Sequence, residues 1–337
     1  MDLPSASFSF SIPSVHDGSK LQCRIYLPPV LKDIESASSW PNHGAIVAHP
    51  YATLGGCYDD PVVSFVGGEL LHAGCIVGTF NFRGAGDSEG GTSWTAKPEL
   101  GDYVSFYGFM LQYLHLLKLA LARRDRVDSP NPHQTINEGE PASDIGLILG
   151  GYSYGSLIAS HVPTLDTMLS LLQPVPMATA TKTTPISEIR ETAKRIAACS
   201  LERLQISHAL PDTLDLYTST TSVSYLLISP LLPPISRLLT MFSALSLKVI
   251  TENDQVLHIP CPRPADQQST HNVLALYGNQ DTFTSSGKLQ RWSDEMAQMP
   301  GSQFQFQMID GAGHFWRENG VETHARHALR EWLSQIL

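Results

Sequence analysis

The stretch "LILGGYSYGSLIAS", residues 147–160, carries an apolar run into Gly151-Tyr152-Ser153-Tyr154-Gly155 and leaves as small and apolar residues. It reads as a buried strand that turns sharply into a helix. Glycines two positions either side of Ser153 clear side chains from that turn, which would hold the serine up above the sheet edge. The plainer alternative is a glycine-rich strand-to-helix turn with an incidental serine. Which reading holds depends on whether the rest of the chain supplies a base and an acid.

Outward from this point, apolar runs and turn signals alternate. Toward the N-terminus, "AIVAHP" (45–50) and "CIVGTFNF" (75–82) read as buried parallel strands, and "PVVSFVGGELLHAG" (61–74) as the helix between them. "SFSFSI" (7–12) and "LQCRIYL" (21–27) flank the turn signal His16-Asp17-Gly18-Ser19 and predict an antiparallel start. Residues 100–124 have helical spacing, followed by a polar, proline-rich insertion at 125–143. Beyond Ser153 come a Pro/Thr-rich stretch (163–185), a helix (186–210), and strands at 222–230, 272–278 and 304–310. Helices at 286–299 and 324–337 alternate with the last of these. The expected class is α/β: a mostly parallel sheet with helices on both faces.

At 337 residues with 42% hydrophobic and 16% charged residues, the chain is globular with a large core. Its net charge of −10, with no basic run, argues against nucleic acid or an anionic membrane as partner. Five scattered cysteines (Cys23, Cys57, Cys75, Cys199, Cys261) form no CxxC pair, which points to reduced thiols and a cytoplasmic setting. The first twenty residues lack the pattern of a secretory signal, and no membrane span is expected; the longest candidate, at 222–242, is broken by three prolines and an arginine. No metal spacing and no P-loop lysine are present, so no cofactor is expected.

A serine hydroxyl is a poor nucleophile until a base takes its proton, and that base needs an orienting acid. Asp281, just past the strand in "NVLALYGNQD", and His314, in the glycine-rich "MIDGAGHFW", follow Ser153 in the order this architecture requires. Asp310 and Asp254 are rival acids, with Asp310 ranked second. His324 and His327 sit on a terminal helix and are expected to face solvent. Two amides must also meet an oxyanion: one from Tyr154, and one from Tyr51, because Pro50 has no N–H. His49 is expected to orient that loop and line the pocket. In "NFRGAGDSEG" (81–90), Arg83 is expected to shape the site, paired with Asp87, and Trp316 joins it among the substrate-lining residues.

With these motifs in order, the chain resembles the α/β-hydrolases. The resemblance spans about residues 45–335 and rests on "HPYATLGG", "NFRGAGDSEG", "GYSYG", "YGNQD" and "GAGHFW". It is similar in particular to small members with a His-Pro loop, in an extended, fungal-like form. The resemblance implies Ser153 as nucleophile, His314 as base, Asp281 as its orienter, and Tyr51 and Tyr154 as oxyanion amides.

The leading expectation is a serine hydrolase cleaving an ester, thioester or lactone of a bulky apolar small molecule through an acyl-enzyme. Two alternatives stay open: a natural-product cyclase or retro-Claisen enzyme using the same groups, and a ligand-binding, receptor-like protein. Residues 1–164 and 221–337 are expected to form the core, with 165–220 inserted as a lid or cap.

Overall fold

The computed structural model describes residues 1–128, 145–173, 183–206, 210–211, 214–218, 220–241, 243–250 and 256–337. Most of the 125–143 insertion, part of the Pro/Thr-rich stretch and Asp254 lie outside the described residues.

The chain opens with an antiparallel pair, β1 (Phe8–Pro13) and β2 (Lys20–Tyr26), around the predicted turn. β2 lies antiparallel on β4 (Ile76–Phe80). From β4 the sheet continues in parallel through β3 (His43–Ala48), β5 (Ile145–Tyr152), β6 (Thr221–Ile228), β9 (Asn272–Gly278) and β10 (Gln303–Ile309). β4 and β5 are buried along their whole length, as strands covered by helices on both faces must be, which is why they read as unbroken apolar runs.

Two hydrophobic clusters divide the strands' alternate side chains between them. Leu147 and Leu149 face the side that holds α2 (Lys97–Asp128), α3 (Tyr154–Ala159) and α8 (Ser286–Ala297). Ile148 faces the side that holds α1 (Pro61–His72) and α9 (Val321–Ile336). Asp60 caps α1 by accepting from the Val62 N–H at 2.8 Å, with Pro61 at the first helical position. Glu69 on α1 ties to α9 through Arg326 Nη1 (2.7 Å) and Arg330 Nε (2.5 Å), and these cations hold its carboxyl down at about 2 against the opposing pull of burial.

α2, rather than residues 222–242, is the longest apolar candidate. Among the described residues, its Lys97–Arg124 portion is long and apolar enough to cross a membrane by length and composition, yet 94% of that window is buried inside the protein. It is apolar all round because it is covered all round. The sheet lies on one side, and an outer layer closes the other. That layer holds α4 (Leu165–Leu172), α5 (Pro185–Arg203) and a hairpin of β7 (Ser246–Ile250) and β8 (Val256–Pro260). Tyr113 on α2 shares a hydrogen bond of 2.8 Å with Ser200 on α5. α5 itself begins at a Thr184–Ser187 capping box with Pro185 at its first position. The described part of the 165–220 segment therefore packs along α2 and β1. After β6 the chain makes a further excursion through α6 (Ile235–Leu239), the hairpin and α7 (Pro264–Gln268) before returning as β9.

Strand order places the crevice. From β3 the chain steps to β4 on one side, then crosses back over to β5 on the other, so β3 and β5 are neighbours at a switch point. Ligand sites of open α/β sheets form outside the carboxyl ends of such strands. Tyr51 follows β3, and Ser153 follows β5.

Candidate active site

Ser153 joins β5 to α3 with φ 55° and ψ −112°, a conformation that side chains other than glycine rarely adopt. Its N–H donates to the Ile228 carbonyl at 2.8 Å, extending the β5–β6 ladder by one rung, and its own carbonyl accepts the Leu157 N–H at 3.1 Å. The flanking glycines have steric reasons. A Cβ on Gly151 would collide with the Gly155 backbone, and one on Gly155 with the Ala48 carbonyl oxygen at the end of β3.

Ser153 Oγ lies 2.8 Å from His314 Nε2, and His314 Nδ1 lies 2.7 Å from Asp281 Oδ2. All three residues are buried. With Nδ1–H donating to the carboxylate, Nε2 is left as the acceptor facing the serine hydroxyl. The other carboxylate oxygen, Oδ1, accepts the amides of Phe283 (2.8 Å) and Thr284 (3.0 Å), which fixes the plane of Asp281. The loops after β9 and β10 close on each other to make this meeting possible. Gln280 N–H donates to Ala312 O at 2.9 Å, and Gly278 leaves no room for a Cβ against that same carbonyl. Asp310, the second-ranked acid, is instead held by Asn279 Nδ2 at 2.5 Å.

The two expected oxyanion amides lie on neighbouring elements. Tyr154 is the first residue of α3, where a helix leaves its N–H without an internal acceptor. Tyr51 opens a tight turn in which its carbonyl accepts from Leu54 and Gly56, and its ring packs 5.0 Å from that of Tyr154.

His49 is fully buried between these parts. Its Nδ1–H donates to Pro50 O at 2.6 Å and its Nε2 accepts the Phe82 N–H at 2.9 Å. Burial holds its imidazole down at about 4, so it is neutral. Both ring nitrogens are engaged in tying the β3 loop to the β4 loop.

Arg83 forms a different pair from the expected one. It contacts Asp102 through Nε (3.0 Å) and Nη2 (2.7 Å), and Asp17 through Nη1 (2.8 Å). Asp87 turns instead to Gln22 Nε2 at 2.9 Å. The reason is burial: Asp102 on α2 is fully enclosed, and an enclosed carboxylate needs a cation. Trp316 is buried too, its Nε1 donating to Ser229 Oγ at 3.0 Å.

Sequence reading missed four neighbours of the site. Phe283 lays its ring 4.3 Å from the His314 ring, and Thr284 Oγ1 accepts the N–H of Leu232 from the segment after β6 at 3.3 Å. The Asp281-x-Phe283-Thr284 turn carried a usable signal, because an aspartate commonly caps amides two and three residues on. The other two, Tyr152 and Ser229, bond to the backbone of His314, and nothing in a sequence marks that.

Eight strands in this order, the strained serine turn after β5, and a Ser–Asp–His succession along the chain define the α/β-hydrolase fold. No protein-family model matches the sequence, and no curated protein matches it. Among solved structures, the chain is similar to an α/β serine hydrolase without lid from Xanthomonas campestris. Identity is 17% and the TM-score 0.48, over 100% of this chain and 98% of that one. It is also similar to an α/β serine hydrolase homologue from Coxiella burnetii (16%, TM-score 0.46, 97% and 98%). A third is Est1E from Butyrivibrio proteoclasticus (15%, TM-score 0.45, 98% and 98%). These are likenesses of chain course, and the fold assignment stands on the strand order itself.

Proposed function

We propose that the protein is a serine hydrolase that cleaves an ester, thioester or lactone of a bulky apolar molecule through an acyl-enzyme. The observation that carries this reading is the unbroken line from Ser153 Oγ through His314 to Asp281, with gaps of 2.8 and 2.7 Å. Ser153 Oγ adds to the substrate carbonyl as His314 Nε2 takes its proton. Asp281 keeps the imidazole in the tautomer that can do so and stabilises the imidazolium. The tetrahedral oxyanion is held by the amides of Tyr51 and Tyr154. Collapse expels the alcohol or thiol, which takes the proton from His314, and water repeats the sequence to release the acid.

Aromatic rings close around the base, with Phe283 and the exposed Phe315 beside His314, and this favours an apolar acyl or alcohol group. In the same proposal, His49 and Arg83 fix the loops around the pocket, and Trp316 packs behind it. The 165–220 segment is an insert on the core of 1–164 and 221–337. A reducing, cytoplasmic setting suits the five free cysteines.

Intact-mass analysis after treatment with a fluorophosphonate tests the reading. One adduct on the parent protein and none on Ser153→Ala is the expected result. A folded parent that takes no adduct overturns it. With p-nitrophenyl esters, kcat/KM is expected to rise from acetate to octanoate.

A further inference from the structure

We infer that Tyr152 is a positioning residue for His314, holding the backbone of the base while its neighbour Ser153 bonds the ring. The inference rests on the serine-hydrolase reading above. Its first support is a direct bond. Tyr152 O–H donates to the His314 carbonyl oxygen at 2.9 Å, and both residues are buried. The same carbonyl is within 3.5 Å of the Ser229 hydroxyl, and Ser229 is in turn held by Trp316 Nε1 at 3.0 Å. Two hydroxyls therefore converge on one peptide group, the one that carries the base.

The anchor is rigid. Tyr152 is the last residue of β5 and is registered against Ile228, whose carbonyl also accepts the Ser153 N–H at 2.8 Å. Ser229 N–H is bonded to Leu276 O on β9 at 2.8 Å. The clamp thus ties the His314 loop to the ends of three sheet strands. The other backbone ties of the loop, among them Gln280 N–H to Ala312 O, Gly311 N–H to Asn279 Oδ1 (2.9 Å) and Gly313 N–H to Glu318 (3.1 Å), do not engage the His314 carbonyl. The imidazole must bridge two partners at hydrogen-bond distance, so small rotations of its peptide are felt at both ends. Misplacement of a reacting group by about 1 Å can cost about 100-fold in rate.

The test is Tyr152→Phe, which keeps the ring and removes the hydroxyl. On p-nitrophenyl octanoate, kcat is expected to fall about tenfold with KM within about twofold of the parent. The second-order rate of fluorophosphonate labelling at Ser153 is expected to fall in parallel. In proton NMR, the low-field signal of the His314 Nδ1–H bonded to Asp281 is expected to broaden, which a merely structural role would not produce. Rates within twofold of the parent with that signal unchanged overturn the inference. If Tyr152→Phe does not fold, Ser229→Ala probes the same carbonyl. A fall in labelling rate of about threefold supports the clamp, and an unchanged rate overturns it. Parent labelling separates the two failures. A parent that does not label sinks the hydrolase reading, while a parent that labels alongside an equally reactive Tyr152→Phe sinks the clamp alone.

Discussion

Asp281 meets His314 through one carboxylate oxygen, Oδ2 at 2.7 Å from Nδ1, and spends the other on the amides of Phe283 and Thr284. The carboxylate is thereby fixed in plane before the imidazole arrives. Asp281→Asn keeps the shape but offers Nδ1 either an amide N–H or a weaker carbonyl. The amide donor would reverse the tautomer and leave Ser153 facing an N–H. Turnover is expected to fall about 10⁴-fold. Asp310→Asn is expected to stay within about twofold of the parent, because Asp310 faces Asn279. Steady-state rates of the two variants decide between the rival acids.

Gly155 packs against the Ala48 and His49 carbonyls with no space for a methyl group. Gly155→Ala is expected to cost about 1–3 kcal/mol in chemical denaturation. It should slow phosphonate labelling as well, since the helix that begins at Tyr154 must move outward from β3.

Arg83 satisfies the enclosed Asp102 and reaches Asp17 at the β1–β2 turn, whose carboxyl is held down at about 2 against its own burial. Arg83→Met is expected to destabilise the fold by about 3–5 kcal/mol, because it leaves Asp102 buried without a cation. A variant of unchanged stability with a raised KM would place Arg83 against substrate instead.

Two buried histidines give stability a pH dependence whose sign can be worked out. His49 and His115 both sit at about 4 in the folded chain, His49 through burial and His115 through burial aided by Lys118. In the unfolded chain each titrates near 6.5. Between those values the unfolded chain binds protons that the native one refuses, so stability falls as pH falls from about 6.5 to about 4. Each histidine contributes up to about 1.4 kcal/mol per pH unit in that window and nothing above it. Below it, Glu69 continues the loss from about 4.5 toward about 2 as its ion pairs with α9 are protonated away. Urea midpoints measured from pH 8 to 2 check this. His115→Gln, on α2, is expected to reduce the slope but not abolish it, because burial also holds His16, His43 and His161 below the ordinary value and they act in the same direction.

How much of this was legible in the sequence follows from what each part depends on. Buried parallel strands announce themselves as apolar runs, and the glycines at 151 and 155 are forced by backbone contact, so the serine turn could be read directly. Asp281 and His314 stood out because chain order and strand ends constrain them. The β7–β8 hairpin did not, since its strands are five residues each and β8 is largely exposed, so the short alternation of β7 stood without a partner. α4 was hidden inside a Pro/Thr-rich stretch. Arg83 was matched to the carboxylate nearest along the chain, whereas the fold brought it one on α2 whose burial demanded a cation. The role of Tyr152 was invisible, because its partner is a carbonyl that every residue possesses.

β5 begins at Ile145 and delivers Ser153 after eight residues of strand, a span of about 26 Å at the usual rise per residue. Ile145 therefore sits at the opposite pole of the sheet from the serine. A surface tether attached at that pole, beside Ile145, would leave the mouth of the crevice pointing outward, so that the immobilised protein would present Ser153 to the solution.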